Sequence, residues 1–334
     1  MGYQINKTKM NTLFTDLLEN YTIYAPKRFV GGGTFADTDC IRYGEISTLE
    51  EIEFSEKSDY SFKEVLLPIS ETLFYFTEAV MKESDPPLKE AIVFLRSCDL
   101  HSLNRLDTIY LKNGPVDPYY KRLRDHTHFI LMGCENTFEN CFCVSMGTNQ
   151  STNYDAYIKV TAEEVLIDSH WNLLDQALAN AQPFTVVPDS VSINNISVEI
   201  PESIPQSVFD STLWDDYTAR CIACGRCTFV CPTCTCFTMQ DLFYSDNGKA
   251  GERRRVWASC QVDGYTDVAG GHAFRENKGQ RMRFKVMHKI SDYKKRFDNQ
   301  MCTGCGRCDD ICPEYISFSN CINKVNALVK EENR

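Results

Sequence analysis

The chain has 334 residues, 43% of them hydrophobic and 24% charged, which is ordinary for a globular protein and long enough for two domains with separate cores. No apolar run approaches the roughly 18 to 20 residues of a membrane span, and the opening MGYQINKTKMNTLF lacks the apolar stretch of a secretory signal, so a cytoplasmic location is expected. The net charge of −11 disfavours nucleic acid as a general partner, and the seventeen cysteines call for a reducing, oxygen-poor compartment if they serve as ligands.

Residues 1–182 read as an α/β domain. The runs Ala91 to Leu95 (AIVFL) and His128 to Met132 (HFILM) are short and rich in β-formers, as buried parallel strands are. Between them Leu100, Leu103, Leu106 and Tyr110 recur at helical spacing, which predicts a strand–helix–strand unit. Asn153 to Ser169 alternates apolar and polar residues on both sides of Thr161 to Glu164, a hairpin pattern, and Trp171 to Ala181 returns to helical spacing. The glycine run Gly31 to Gly33 is not GxGxxG and precedes no helical pattern, so it reads as a loop. P-loop, HExxH and GxSxG patterns are missing as well, which leaves hydride transfer, ATP hydrolysis and acyl transfer without a basis.

From 183 to 207 the chain turns to Pro, Ser, Asn and Val without a period, the composition of a linker. Val208 to Arg220 then reads as a helix that runs into CIACGRCTFVCP, Cys221 to Pro232. This run recurs as CTGCGRCDDICP, Cys302 to Pro313, and each copy is a CxxCxxCxxxCP spacing that wraps a [4Fe-4S] cluster. In such pairs the fourth cysteine ligates the neighbouring cluster. Cys221, Cys224, Cys227 and Cys312 are therefore assigned to one cluster, and Cys302, Cys305, Cys308 and Cys231 to the second. Structural zinc needs only two cysteines per knuckle, so the third cysteine, the Cys-Pro ending and the duplication exceed what that metal requires. With a long insertion at 232–301, the region 208–334 fits a mainly α, helical-ferredoxin domain better than a compact bacterial ferredoxin, and the helix-compatible tail Ile322 to Glu332 agrees.

Charge is uneven. Residues 251–300 carry twelve Lys and Arg against six acids, net +6, which leaves −17 for the remainder and points either to a docking face for an acidic protein or anionic cofactor or to a solvated loop. Arg226 and Arg307, each before the third cysteine of its motif, either stabilise a reduced cluster or make surface contacts. The turn Gly270-Gly271-His272 beside Arg275 either contacts an anion, covers a cluster or is an ordinary turn.

Four cysteines of the first domain fall after predicted strands: Cys98 follows AIVFL, Cys134 follows HFILM, and Cys141 and Cys143 lie in the next loop. Open α/β sheets place ligands at the carboxyl ends of their strands, so these four thiols are candidates for a third iron–sulfur cluster. The plain alternative is a set of buried structural thiols, and Asp99 or His101 beside Cys98 offers a replacement ligand. Cys40 and Cys321 read as structural. Cys234, Cys236 and Cys260 either tune a cluster by S–H hydrogen bonding, pack against it or serve as ligands themselves.

Together RSCDLHSLNRLD (96–107), GCENTFENCFCVSMG (133–147), CIACGRCTFVCPTCTCF (221–237), RRRVWASCQ (253–261), AGGHAFR (269–275) and CTGCGRCDDICP (302–313) resemble the A subunits of anaerobic sulfite reductases, within a wider family that includes sulfhydrogenase beta subunits. The resemblance implies an electron relay between a flavin subunit that oxidises NADH and a sirohaem subunit that reduces sulfite to sulfide. It also implies that the eight motif cysteines, with Cys98, Cys134, Cys141 and Cys143, are cluster ligands. Sirohaem reductases bind their haem-bridged cluster through a CxxxxxC and CxxxC pair, whereas six residues separate Cys134 from Cys141, so the sulfite chemistry falls to a partner and this chain is expected to hold no catalytic residue. Two other readings stand beside this one: a sulfhydrogenase or hydrogenase beta subunit, whose partner is a nickel–iron subunit, and an iron–sulfur redox sensor.

Overall fold

The two apolar runs of the amino-terminal half lie side by side: Glu90–Leu95 pairs in parallel with Thr127–Met132, Val93 opposite Phe129. Both strands are buried along nearly their whole length, which is why they read as unbroken apolar runs rather than as alternation. The helix Ser97–Asp107 begins just beyond the carboxyl end of the first strand and starts the crossover to the second. A hairpin turns at Thr161, whose N–H donates to the Glu164 carbonyl at 2.9 Å, and joins Ala156–Val160 to Glu164–Ser169. Across the sheet the order is Gln182–Pro183, Gly2–Asn6, Glu164–Ser169, Ala156–Val160, Thr127–Met132, Glu90–Leu95, Tyr21–Phe29 and Cys40–Glu45. Four neighbours in this order, Ala156–Val160 through Tyr21–Phe29, run parallel, so their carboxyl ends share one end of the sheet.

The helix Lys7–Leu18 packs against the sheet. Asn6 caps it by accepting the Lys9 N–H at 2.8 Å, and Met10, Leu13, Phe14 and Leu17 enter a core with Ile23, Ile92, Phe94 and Ile130. Phe14, Ile92 and Phe94 have no exposed surface, and each such side chain contributes roughly 1.5–3 kcal/mol of burial.

This structure, a computed structural model, describes residues 1–33, 35, 37–86 and 88–332. The chain forms two compact units, Met1–Leu66 with Leu88–Asn195 and Thr303–Cys305, and Leu67–Pro87 with Ile196–Cys302 and Gly306–Arg334. The division differs from a cut between two contiguous segments, and within the second unit a strand pairing explains part of the difference. Gly251–Trp257 from the long insertion pairs antiparallel on one side with Phe237–Phe243 and on the other with Ser70–Phe76, which in turn pairs with Met81–Glu83. Arg255 and Glu71 form an ion pair at 2.7 Å across that ladder, and the Trp257 indole N–H donates to the Leu67 carbonyl at 2.9 Å.

The helices of this second unit include Leu213–Arg220, Lys278–Met287 and Phe318–Glu332. Val191 and Val198, in the stretch read as a linker, are both buried. The glycine pair at Gly270 and Gly271 turns the two-stranded ribbon Asp267–Val268 and His272–Ala273. Among the described residues, no helix is long and apolar enough to cross a membrane.

Candidate metal centres

Both motif loops adopt one backbone pattern. The third residue is left-handed in each, Ala223 at φ 57° and Gly304 at φ 67°, and so is the glycine before the arginine, Gly225 at φ 77° and Gly306 at φ 72°. A single helical turn follows each time, Arg226–Phe229 and Arg307–Asp310. Two left-handed residues so close together curl the chain tightly, and Ala223 accepts the strain, about 1–2 kcal/mol, that glycine escapes at the matching position. Gly225 has a second reason to lack a side chain: a Cβ there would stand 2.8 Å from Val262 and 2.9 Å from Ser259.

In the second unit Cys221, Cys224 and Cys227 of the first motif line a common cavity with Cys312 of the second; Cys308, assigned to the other cluster, lines it as well, and Gln261, Met282, Lys285 and Phe318 complete its wall. The cavity contains the crossed set Cys221, Cys224, Cys227 and Cys312 that the spacing assigns to one cluster. The chemistry of the donors fits a [4Fe-4S] group: four soft sulfurs, an apolar wall and a buried cation. Backbone groups help, since the Ala223 N–H donates to Cys221 Sγ at 3.3 Å and the Ile316 N–H to Cys312 Sγ at 3.4 Å. Such bonds favour the thiolate and the more negative, reduced state.

Two lysines dominate the electrostatics. Lys285 and Lys289 are only 4% and 2% exposed, on the helix Lys278–Met287 and the π-helical turn His288–Asp292 that continues it. Lys289 Nζ lies 3.5 Å from Cys231 Sγ and 2.5 Å from Thr233 Oγ1, while the Lys289 carbonyl accepts the Cys302 N–H at 3.3 Å. Burial works against both charges. The sulfurs of Cys227, Cys308, Cys234 and Cys231 around Lys285, and of Cys231, Cys234 and Cys302 around Lys289, outweigh it and hold both ammonium groups well above the ordinary lysine value. Cys231 answers in the other direction, pushed well below the usual thiol range by the Cys234 thiol that donates to it and by Lys289.

Sequence reasoning missed these lysines. The available signal was RMRFKVMHKI, which sets Lys285 and Lys289 four apart among Met282, Val286 and Ile290, all buried. A cation on the apolar face of a helix has to meet anions. The arginines singled out instead divide: Arg226 is exposed, whereas Arg307 is 1% exposed. Of the twelve cations in residues 251–300, six are ion-paired or buried, while Lys294, Lys295 and Arg296 are exposed. Arg253 pairs with Asp241 at 2.6 Å, Arg255 with Glu71, Arg254 with Glu252 and Arg281 with Asp263, and the two lysines are turned inward.

In the first unit the four cysteines expected after strands sit near the carboxyl ends of the parallel strands. Cys98 lies in the first turn of Ser97–Asp107, and Cys134 two residues beyond Thr127–Met132. Cys98 and Cys143 are buried in a small cluster with Val191 and Cys305, and half-buried Cys134 packs against it. Residues Thr303–Cys305 are tied in by the Phe142 N–H donating to the Gly304 carbonyl at 2.8 Å and by Thr148 Oγ1 donating to the Thr303 carbonyl at 2.7 Å. Any Cβ on Gly304 would lie 2.7 Å from the Phe142 carbonyl, so this close approach excludes a side chain. Cys305, assigned by spacing to Cys302, Cys308 and Cys231, is thus packed with the amino-terminal thiols.

Cations flank these sulfurs too: Arg96 Nη1 is 3.4 Å from Cys134 Sγ, and Lys57 Nζ is 3.7 Å from Cys141 Sγ and 2.8 Å from the Cys305 carbonyl. Burial, with Cys141 next, pushes the Cys143 thiol up to about 11, so it becomes a ligand only against a strong positive centre. His101 is engaged by the Gln150 carbonyl at 2.7 Å, and Asp99 is fully buried. A cavity of about 360 Å³ opens beside Cys134, lined also by Arg96, Tyr157, Lys159 and Asp189. Cys321 has no exposed surface and belongs to the core of the helix Phe318–Glu332. Among the described residues, no group of three or more His, Cys, Asp or Glu side chains is arranged to hold a single metal ion.

Residues 220–316 match the family described as a 4Fe-4S dicluster domain. The chain is also 27% identical over 330 residues to sulfhydrogenase 2 subunit beta of Pyrococcus furiosus, a match that spans 93% of this chain and 94% of that protein. No solved structure matches. The chain is therefore a distant homologue of that beta subunit, with an iron–sulfur dicluster domain in its carboxyl-terminal part.

Proposed function

We propose that this chain is the iron–sulfur electron-transfer subunit of a sulfhydrogenase-type complex. The observation that carries the reading is the convergence of Cys221, Cys224 and Cys227 with Cys312 on one cavity, since interlocked motifs are what two adjacent clusters require. When bound, [4Fe-4S] clusters supply reversible one-electron transfer. The residues of the chain do the rest. Cys221, Cys224, Cys227 and Cys312 hold the first cluster, and Cys302, Cys305, Cys308 and Cys231 hold the second. Lys285 and Lys289 balance the negative charge of the thiolates at close range, and the Ala223 and Ile316 N–H groups donate to two of the sulfurs. Cys98, Cys134, Cys141 and Cys143 are assigned to a third cluster, supported by their shared neighbourhood and by Arg96 and Lys57 beside them. The chain itself carries no catalytic residue in this reading.

The distant beta-subunit relative, similar along almost the whole chain, favours this complex over an NADH-linked sulfite reductase. The second reading, with a flavin subunit as donor and a sirohaem subunit as acceptor, rests on the sequence blocks RSCDLHSLNRLD and GCENTFENCFCVSMG. Anaerobic affinity purification from the native cell separates the two. A copurifying nickel–iron subunit with hydrogen-dependent bleaching supports the first, and a sirohaem absorbance with sulfite-dependent reoxidation supports the second. A colourless, iron-free chain overturns both.

A further inference from the structure

Four thiols of the second unit lie outside the eight motif cysteines: Cys321, which is fully buried, and Cys234, Cys236 and Cys260, which follow the first motif. Two of them are brought together by the ladder in which Phe237 faces Trp257, because the pairing continues with the Ala258 N–H donating to the Cys236 carbonyl at 3.0 Å. The strands therefore deliver Cys236 and Cys260 side by side. The Cys260 thiol donates to the Cys236 sulfur, and the Tyr265 hydroxyl donates to the same atom. The Cys260 sulfur in turn accepts Gln261 Nε2 at 3.4 Å. Cys260 is 5% exposed, whereas Cys236 is partly open to solvent. Buried Cys234 links this pair to Cys231: it donates to Cys231 and neighbours Cys236, so four sulfurs follow one another from a motif cysteine outward.

Cys236 and Cys260 are thus neighbouring thiols outside the motif set, one of them partly open to solvent. We propose that Cys236 and Cys260 form a redox-active dithiol whose substrates are low-molecular-weight disulfides, with Cys236 as the attacking and Cys260 as the resolving sulfur. The proposal rests on the iron–sulfur reading above for its reductant. Cys236 thiolate attacks one sulfur of R–S–S–R′, forming a mixed disulfide and releasing R–S⁻. Cys260 then gives up its proton and attacks the Cys236 sulfur, releasing R′–S⁻ and closing the Cys236–Cys260 disulfide. Two protons from solvent and two electrons restore the dithiol; a cluster held on the Cys231 side would supply the electrons one at a time. In sum, one disulfide, two electrons and two protons become two thiols. The roles follow from the surroundings: donation from Cys260 and then Tyr265 favours the thiolate at Cys236, while that same bond and burial keep Cys260 protonated until the mixed disulfide forms.

The test uses the full chain purified anaerobically with its clusters, and cystamine as the probe. After exposure, free thiols are blocked with N-ethylmaleimide and peptides are mapped by mass spectrometry. The expected product is a Cys236–Cys260 crosslink in most chains, with iron and acid-labile sulfide unchanged, reversed by dithionite. Cys260→Ser should accumulate a mixed disulfide of cysteamine with Cys236, and Cys236→Ser should form neither product, both with wild-type iron content. Loss of about four irons per chain in either variant would make these residues cluster ligands and overturn the proposal. Absence of the crosslink with iron intact would overturn it as well. An iron-free wild-type chain would instead sink the cluster reading, while leaving the cystamine reaction of the pair readable.

Discussion

Replacing Lys289 by methionine keeps most of the apolar stem and removes one positive charge 3.5 Å from the sulfur of Cys231. Unit charges at that distance attract by about 5 kcal/mol at an effective dielectric constant of about 20. The reducing electron is spread over the whole cluster, so roughly a third of that, about 1.5 kcal/mol, is lost selectively from the reduced state, or about 65 mV at 59 mV per tenfold. The sign is fixed. Loss of a cation destabilises the more negative state, and the midpoint potential of the cluster that shares Cys231 falls. A redox titration of the anaerobic protein followed by electron paramagnetic resonance reads this directly. The exposed Arg226, replaced by Met, serves as the control and should move its signal by less than about 20 mV, because solvent screens it. An unchanged or raised potential in Lys289→Met with full iron content would refute the electrostatic role of the lysine.

The remaining expectations are as direct. Wild-type protein should hold about twelve irons and twelve acid-labile sulfides per chain, and Cys143→Ala about eight of each, with the signals of the motif clusters retained; eight in both proteins would remove the third cluster. Gly304→Ala places a methyl 2.7 Å from the Phe142 carbonyl on left-handed backbone, so it should cost about 1–3 kcal/mol and lower the thermal midpoint. Ala223→Gly, which relieves φ of 57°, should leave the midpoint unchanged or raise it, and equal losses in the two variants would contradict the backbone argument. His288 stacks on Phe284 with ring centroids 5.5 Å apart, and burial followed by Lys289 holds its pKa down to about 4. Its stabilising contribution is then whole above the unfolded value of about 6.5, falls as the pH drops from there toward 4, and is level below. With a discount for partial exposure the loss is about 1–2 kcal/mol, and urea unfolding of wild type and His288→Gln at pH 7 and pH 4.5 should show that share of the slope only in wild type.

What was legible in the chain was whatever a short-range rule dictates. Unbroken runs such as AIVFL and HFILM announced buried parallel strands because both faces of each strand are covered, and the alternation around Thr161 announced the hairpin because only one face is. The cysteine spacing placed Cys312 with Cys221, Cys224 and Cys227 because the duplicated loop leaves each fourth thiol to the other motif. Pairings between distant segments left no such trace. Nothing in SETLFYF (70–76) tells that its partner is GERRRVW (251–257), since an antiparallel ladder stores its register in both strands jointly. The split of the second motif, with Thr303–Cys305 in the first unit, was equally hidden, because the hydrogen bonds that hold it come from Phe142 and Thr148.

The lysines show why composition alone misleads about charge. Counted along the chain, residues 251–300 looked like a basic surface, yet the two cations that matter most are the two least exposed. A buried ammonium group is tolerated only where nearby anions repay its desolvation. In this fold the groups that hold the two lysines up are the sulfurs of Cys227, Cys231, Cys234, Cys302 and Cys308, four of them among the eight cysteines assigned by spacing as ligands. If the motif cysteines are thiolates, they offset the desolvation of Lys285 and Lys289; were they neutral thiols, both ammonium groups would lack that compensation. Replacing both lysines by methionine should accordingly stabilise the cluster-free chain and weaken cluster retention. Comparing unfolding midpoints with iron content in the double variant decides the matter, and a parallel loss of both would mean that the lysines serve packing rather than the thiolates.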